Sequence, residues 1–86
     1  MISVQVLLTQ VPGLPPEDLD RWIANAWVRP QGGPDGYAFG EIDVARVRLI
    51  RELRDDMDVN EAALPVVLLL LDQLYDLRRQ LLEMRA

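Results

Sequence analysis

The last third of the chain carries the strongest hydrophobic pattern. Six consecutive apolar residues, Val66 to Leu71, are followed by apolar residues that alternate with charged and amide side chains. Leu, Arg, Gln, Glu and Met favour helices and no glycine interrupts them, so the pattern predicts one long helix from about Asn60 to Arg85. Such a helix would reach about 39 Å, so part of it should project from a small domain. Pro65 predicts either a later start or a bend.

The apolar surface of this long helix is too broad for a single contact, because a surface helix usually has one apolar face. One stripe on the helical wheel contains Leu64, Leu68, Leu71 and Tyr75, and a neighbouring stripe contains Val66, Leu70, Leu74, Leu77, Leu81 and Met84. Two interpretations are open: the domain's own core covers both stripes, or part of the surface forms a homodimer. The candidate dimer-interface residues are Val67, Leu70, Leu74, Leu77, Leu81 and Met84.

A transmembrane interpretation of this helix is weak. The uninterrupted apolar run from Ala62 to Leu71 is ten residues long, against about 20 that are needed to span a bilayer. We therefore expect no membrane partner.

Two short helices are predicted near the start of the chain. The loose alternation of Ser3 to Leu8 fits a short strand or the lead-in to a helix that ends at Pro12 and Gly13. Pro15-Pro16-Glu17-Asp18 is typical of a helix start, because proline suits the first helical position and carboxylates favour the positive end of the helix dipole. The pair predicts a helix-turn-helix over about residues 5–26.

The middle of the chain predicts a hairpin and a third helix. The β-prone runs Trp27 to Arg29 and Tyr37 to Phe39 flank the turn sequence Pro34-Asp35-Gly36, which predicts a two-stranded wing over about residues 27–39. A third helix follows over about residues 40–55. Its predicted buried stripe is Ile42, Ala45, Leu49, Ile50 and Leu53. The chain is therefore predicted to be one mainly α domain, residues 1–86, with its long C-terminal helix over about residues 60–85.

The composition removes several classes of site. The chain has no Cys and no His, so it offers no disulfide and no zinc site of the usual kind. The sequence also lacks a glycine loop of the kind that binds phosphate. We therefore expect no metal, no cofactor and no enzymatic activity. Without a disulfide or a metal to stabilise it, a domain with so small a core favours association with a partner. The first residues contain no basic charge that would predict a signal peptide, and a cysteine-free chain fits the cytoplasm.

The charge pattern argues against nucleic acid as a partner. Fourteen acidic and nine basic residues, all of the latter Arg, give a net charge of −5, whereas phosphate recognition depends on an excess of Lys and Arg. The acidic residues form two groups, Glu17, Asp18 and Asp20 and then Asp55, Asp56 and Asp58. Each group can be a solvated helix end or a contact for a basic partner. The second group lacks the glycine and the distal Glu of a calcium loop.

Several motifs resemble the DNA-binding end of MerR-type regulators. They are Leu19-Asp20-Arg21-Trp22-Ile23, Val28-Arg29-Pro30, Gly36-Tyr37 and the run from Asp43 to Leu53. This resemblance implies a winged helix-turn-helix with a long dimerising helix, and a transcription regulator that binds duplex DNA is the alternative function. However, Ala38 stands where those regulators carry Arg, and residues 31–36 contain no basic side chain.

The chain more closely resembles the CbpM-like chaperone modulators, which share that fold. The motifs are Tyr37-Ala38-Phe39, the arginine-rich pattern from Arg48 to Arg54, and the run from Leu68 to Leu77. The resemblance implies a non-catalytic protein that binds the J-domain of a DnaJ-type cochaperone and restrains its stimulation of Hsp70. A J-domain presents a basic helix, so the contact candidates are the carboxylates Glu17, Asp18, Asp20, Asp55, Asp56 and Asp58.

Overall fold

The structure, a computed structural model, describes residues 1–85 and is mainly α, as predicted. Its four helices are α1 (Val4–Gln10), α2 (Pro16–Ala24), α3 (Glu41–Arg51) and α4 (Leu64–Arg85). A π-helical turn, Glu52–Asp56, continues α3 without a break. The body formed by residues 1–63 carries α1 to α3, and α4 leaves it as the longest element.

Local chemistry explains where the first three helices begin. The Ser3 hydroxyl accepts a hydrogen bond from the Val6 amide at 3.3 Å, so residues 3–8 open a helix rather than a strand. Pro16 occupies the first turn of α2 with Glu17 beside it. The Asp43 carboxylate accepts from the Gly40 amide at 2.9 Å and thereby caps α3.

The connection from α3 to α4 contains a π-helical turn and a left-handed residue. The π-helical turn closes with a 3.0 Å bond from the Met57 amide to the Glu52 carbonyl, and Asp58 then adopts a left-handed conformation with φ of 55°. The Asn60 side chain caps a preceding turn by accepting from the Ala63 amide at 2.9 Å. α4 therefore begins at Leu64, and Pro65 lies in its first turn, where a missing amide proton costs no helical bond.

The predicted hairpin is reduced to two isolated backbone pairings. Gln31 and Ala38 exchange hydrogen bonds of 3.0 and 2.9 Å, and Phe39 pairs with Ile2 rather than with Trp27 to Arg29. Residues 27 and 28 instead bond back to the carbonyl of Trp22. Within residues 1–85 no longer strand forms, and Ile2 joins the N-terminus to the segment that precedes α3.

All four helices contribute to one core, in which Trp22 and Phe39 are the largest buried side chains. Val47, Ile50 and Leu53 line the buried side of α3 and its π-helical turn. The prediction that Ile42 and Ala45 are buried is wrong: 85 % of Ile42 is exposed, and Ala45 is exposed as well. Ile42 lies in the first turn of α3, on an open groove beside Leu49 and Tyr75, and no core residue covers it.

Only the first two turns of α4 belong to this core. Leu64 and Leu68 are buried, Val67 and Leu71 are half-buried, and every residue from 72 to 85 is exposed. The chain's own core therefore does not cover both apolar stripes, and this removes the first of the two interpretations of this helix. No helix of residues 1–85 combines the length and the apolar character that crossing a bilayer requires.

Candidate partner-binding surfaces

The arginines of residues 1–63 are turned towards acceptors inside the chain. Arg48 donates to the Gln10 carbonyl at 3.3 Å and Arg51 to the Pro12 carbonyl at 2.6 Å, so they satisfy the C-terminal end of α1. Arg29 donates to the Ala26 carbonyl at 3.2 Å. These guanidinium groups tie loops to helices.

Two further arginines belong to an arginine–carboxylate cluster, which consists of Asp18, Arg21, Arg54, Asp55 and Glu61. Arg54 contacts Asp18 at 2.7 Å, Asp55 at 2.8 Å and Glu61 at 3.2 Å. Arg21 contacts Asp18 at 2.9 Å and makes a bidentate pair with Glu61. Because Glu61 precedes α4 and Asp18 opens α2, the cluster fastens the α3–α4 connection to α2.

The cluster also changes the acidity of its carboxyl groups. Burial by itself raises the pKa of Asp18, but hydrogen bonds from Arg54 and Arg21 outweigh it, and the net pKa lies below the ordinary value of 3.8. The hydrogen bond from Arg21 is the main cause that lowers the pKa of Glu61. The Arg54 guanidinium also lies 5.2 Å from the centroid of the Trp22 ring, so the cluster rests directly on the core.

Arg46 fixes the direction of α4. Its guanidinium makes a bidentate pair with Asp72 at 2.7 and 2.9 Å, and its Nε donates to the Trp27 carbonyl at 2.9 Å. This contact lies where α4 leaves the body, so it holds the projecting part of the helix at a defined angle to α3.

The six acidic candidates fall into two kinds of environment. Asp18 and Asp55 are paired within the cluster, and only 14 % of the Asp18 side chain is exposed. The others, Glu17, Asp20, Asp56 and Asp58, are exposed and have no ion-pair partner within residues 1–85. Sequence reasoning missed the role of Asp18 because Glu61 and Arg54 lie about 40 residues away and no local spacing links them to α2.

Net charge is divided sharply along the chain. Residues 1–63 hold eleven acidic side chains and six arginines, which gives −5, whereas residues 64–86 hold three of each and are neutral. Arg21, Arg46 and Arg54 are paired with carboxylates, whereas the other three arginines donate to neutral carbonyls and keep their charge. The negative charge of the body therefore comes from its excess of carboxylates. Among residues 1–85 no three carboxylates converge into a group that could hold a metal ion.

An open groove, which we call the α2 groove, lies between α2 and the turn at residues 33–37. Its volume is about 490 Å³, and its lining residues are Asp20, Ile23, Ala24, Pro34 and Tyr37. Ile23 and Tyr37 are half-buried and pack against the core. The groove thus joins an apolar floor to one exposed carboxylate.

A second exposed surface runs along α4. The candidate interface residues Leu70, Leu74, Leu77, Leu81 and Met84 are between 49 and 82 % exposed, and Val67 is half-buried against the chain's own core. Steps of three and four residues separate the six positions in alternation, as in a coiled-coil seam. The groove beside Ile42 lies between α3 and a different side of α4, which contributes Asp72 and Tyr75 to its lining.

No protein-family model matches the chain, and neither a curated protein nor a solved structure matches it. The resemblance to MerR-type and CbpM-like proteins therefore depends on the sequence motifs alone. The surfaces that a partner could contact are the acidic body, the α2 groove and the apolar seam of α4. The seam consists of Val67, Leu70, Leu74, Leu77, Leu81 and Met84.

Proposed function

We propose that this protein is a CbpM-like, non-catalytic chaperone modulator that binds the J-domain of a DnaJ-type cochaperone and inhibits its stimulation of Hsp70. The observation that carries the proposal is the unequal use of charge in the body. Three of its six arginines are paired with carboxylates and the other three donate to backbone carbonyls, while Glu17, Asp20, Asp56 and Asp58 face solvent without an ion-pair partner among residues 1–85. Such a surface attracts a basic protein.

The same geometry weighs against duplex DNA. In the proposed winged helix-turn-helix arrangement, α1 and α2 form the helix pair and residues 31–38 form a short wing. The outward carboxylates of α2 would then meet phosphates, and the one arginine of this helix, Arg21, is held by Asp18 and Glu61. Non-specific DNA affinity comes largely from cationic contacts with phosphates, so this face lacks the main source of that affinity.

We propose that the functional unit is a homodimer joined through α4. Large exposed apolar side chains at coiled-coil spacing favour burial against another helix, and soluble monomers rarely leave such a surface uncovered. The net neutrality of residues 64–86 removes charge repulsion between two copies of the helix, whereas the acidic bodies would repel at close range. An antiparallel pair keeps the two bodies at opposite ends.

The direct test combines binding and function. The recombinant protein should bind an isolated J-domain in calorimetry and lower the J-domain-stimulated ATPase rate of Hsp70, while the basal ATPase rate stays unchanged. Because the attraction is between unlike charges, the affinity should fall as salt is raised from 50 to 500 mM. Failure to bind any J-domain of the same organism, together with salt-sensitive binding to duplex DNA in a gel shift, would overturn the proposal in favour of gene regulation.

A further inference from the structure

We infer that the α2 groove is a seat for a single arginine or lysine side chain on a helix of the partner protein. The side chain's aliphatic stem would lie on Ile23 and Tyr37, and its cationic end would meet Asp20. For the identity of the partner this inference rests on the proposed function, but the chemistry of the seat does not depend on it.

The groove is a preformed feature of the body. The Gly36 amide donates to the Gly33 carbonyl at 2.9 Å, and the paired bonds between Gln31 and Ala38 close the loop behind this turn. The Tyr37 ring is tilted by 57° against Phe39 at a centroid distance of 6.2 Å, and Phe39 is buried in the core. A ligand would therefore meet a wall that is already ordered, which lowers the entropic cost of binding.

The charge around the groove has one sign. Asp20 lines it, Asp35 lies in the adjoining turn, and Glu17 lies one helical turn before Asp20. None of these three has an ion-pair partner within the part of the chain that the structure describes. Arg21, which follows Asp20 in α2, is paired with Asp18 and Glu61 in the arginine–carboxylate cluster, and no arginine lines the groove.

An arginine or lysine matches both parts of this surface. Such side chains lay their methylene stems on apolar surface while the charged end reaches a polar site. The face of Tyr37 adds an attraction for a cation that a neutral apolar side chain would not feel. A phosphate or a carboxylate ligand would instead be repelled by Asp20.

The other acidic group of the body lacks these features. Asp55 is already paired with Arg54, and neither Asp56 nor Asp58 lines the α2 groove or the groove beside Ile42. The groove beside Ile42 is apolar, but its carboxylate, Asp72, is held by Arg46. A further groove, lined by Ile2 and Val44, also holds an unpaired carboxylate, Glu41, but Arg48 lines it as well. The α2 groove differs in joining an apolar floor to an unpaired carboxylate with no arginine in its lining.

The test is an NMR titration of the ¹⁵N-labelled protein with a synthetic amphipathic helical peptide that carries Lys and Arg on one face and Leu on the other. The largest saturable shifts should fall on Asp20, Ile23 and Tyr37. A matched peptide with Glu in place of each Lys and Arg should give no saturable shifts. Asp20→Lys should weaken binding of the basic peptide at least tenfold, whereas Glu52→Lys, an equal charge change at an exposed position outside the groove, should change the affinity by less than threefold.

The inference is overturned if the largest shifts lie at residues 55–58, if Glu52→Lys weakens binding as much as Asp20→Lys, or if the acidic peptide binds as well as the basic one. Circular dichroism confirms that each variant is folded. Repeating Asp20→Lys in the Hsp70 assay separates the two proposals. If Asp20→Lys still inhibits, the groove proposal is refuted and the proposed function stands. If the wild type binds the basic peptide in the groove but binds no J-domain, the proposed function alone is refuted.

Discussion

Replacing Asp18 with Asn tests whether this carboxylate stabilises the fold instead of contacting a partner. The change keeps the size of the side chain and removes its negative charge. In the wild type the carboxylate lies 2.9 Å from the Arg21 guanidinium and 2.7 Å from that of Arg54. Hydrogen bonds to charged groups are worth roughly 1.5–3 kcal/mol when well shielded. Because Arg21 is half-exposed and solvent screens its pair with Asp18, we discount the sum and expect the free energy of unfolding to fall by about 1–2 kcal/mol.

The effect should be visible in equilibrium unfolding. For a domain of this size about 1 kcal/mol shifts Tm by roughly 4–8 °C, so a fall of roughly 5–15 °C is expected. Urea unfolding followed by tryptophan fluorescence measures the free energy of unfolding. All variants are compared at one fixed protein concentration, because association would make the measured value depend on concentration. Asp20→Asn is the matched control: it makes the same chemical change on the same helix at an exposed residue without an ion pair, and it should leave stability within about 0.5 kcal/mol.

The pH dependence gives a second, independent check. The pKa of Asp18 is lower in the folded chain than in the unfolded chain, so the folded state gains stability from the ionised carboxylate above its ordinary pKa of 3.8. This gain is lost as the pH falls through the lowered native pKa. The stability gap between wild type and Asp18→Asn should therefore be constant near neutral pH and close in strong acid. Equal stabilities at pH 7, or a gap that persists unchanged in strong acid, would refute a structural role for Asp18.

Three other perturbations address the apolar positions of α4, the direction of this helix and the loop at residues 31–38. Leu74→Arg combined with Leu81→Arg should convert a dimer to a monomer of 9.8 kDa in light scattering, because charge replaces two apolar positions of the seam. Arg46→Met should lower stability by about 1 kcal/mol and speed amide exchange in α4, since the bidentate pair that anchors the helix is lost. Gly32→Ala should destabilise the fold by at least about 1 kcal/mol, because φ is +88° and the added methyl would lie 2.5 Å from a backbone oxygen.

Each of these changes has a control or a contrary result. Gln73→Arg with Gln80→Arg adds the same charge at the same seven-residue spacing beside the seam and should leave the mass unchanged; a wild type that is already monomeric ends the dimer proposal. Gly33→Ala meets no atom within 4 Å and should cost far less than Gly32→Ala. Unaltered exchange in α4 after Arg46→Met would mean that Leu64 and Leu68 alone anchor the helix.

Local signals along the chain located most of the regular structure. Prolines and carboxylates marked the start of α2, and the glycine-free apolar run predicted a long last helix whose end projects. Helix formation and capping depend on neighbours within about four residues, so a single sequence reveals them. α4 begins at Leu64, one turn after Asn60, which confirms the later start that Pro65 predicted; Asn60 caps a turn of its own.

Contacts between distant segments could not be predicted from any local pattern. Periodicity assigned Ile42 to the core, but burial depends on which other elements cover the first turn of α3, and none does. The strand predicted at Trp27 does not form. Phe39 pairs instead with Ile2, which lies more than 35 residues earlier in the chain. The contact between Arg21 and Glu61 likewise joins residues 40 positions apart, and no local spacing predicts it.

The sequence by itself determined that this protein is mainly α, acidic and free of cysteine and histidine, because composition and short-range spacing need no tertiary contact to be read. Only the tertiary structure decided which charges remain available to a partner. Asp18 and Asp20 are two residues apart and chemically identical, yet one lies between two arginines and the other lines an open groove. The difference arises because a helix turns successive side chains to different neighbours, and those neighbours come from remote parts of the chain.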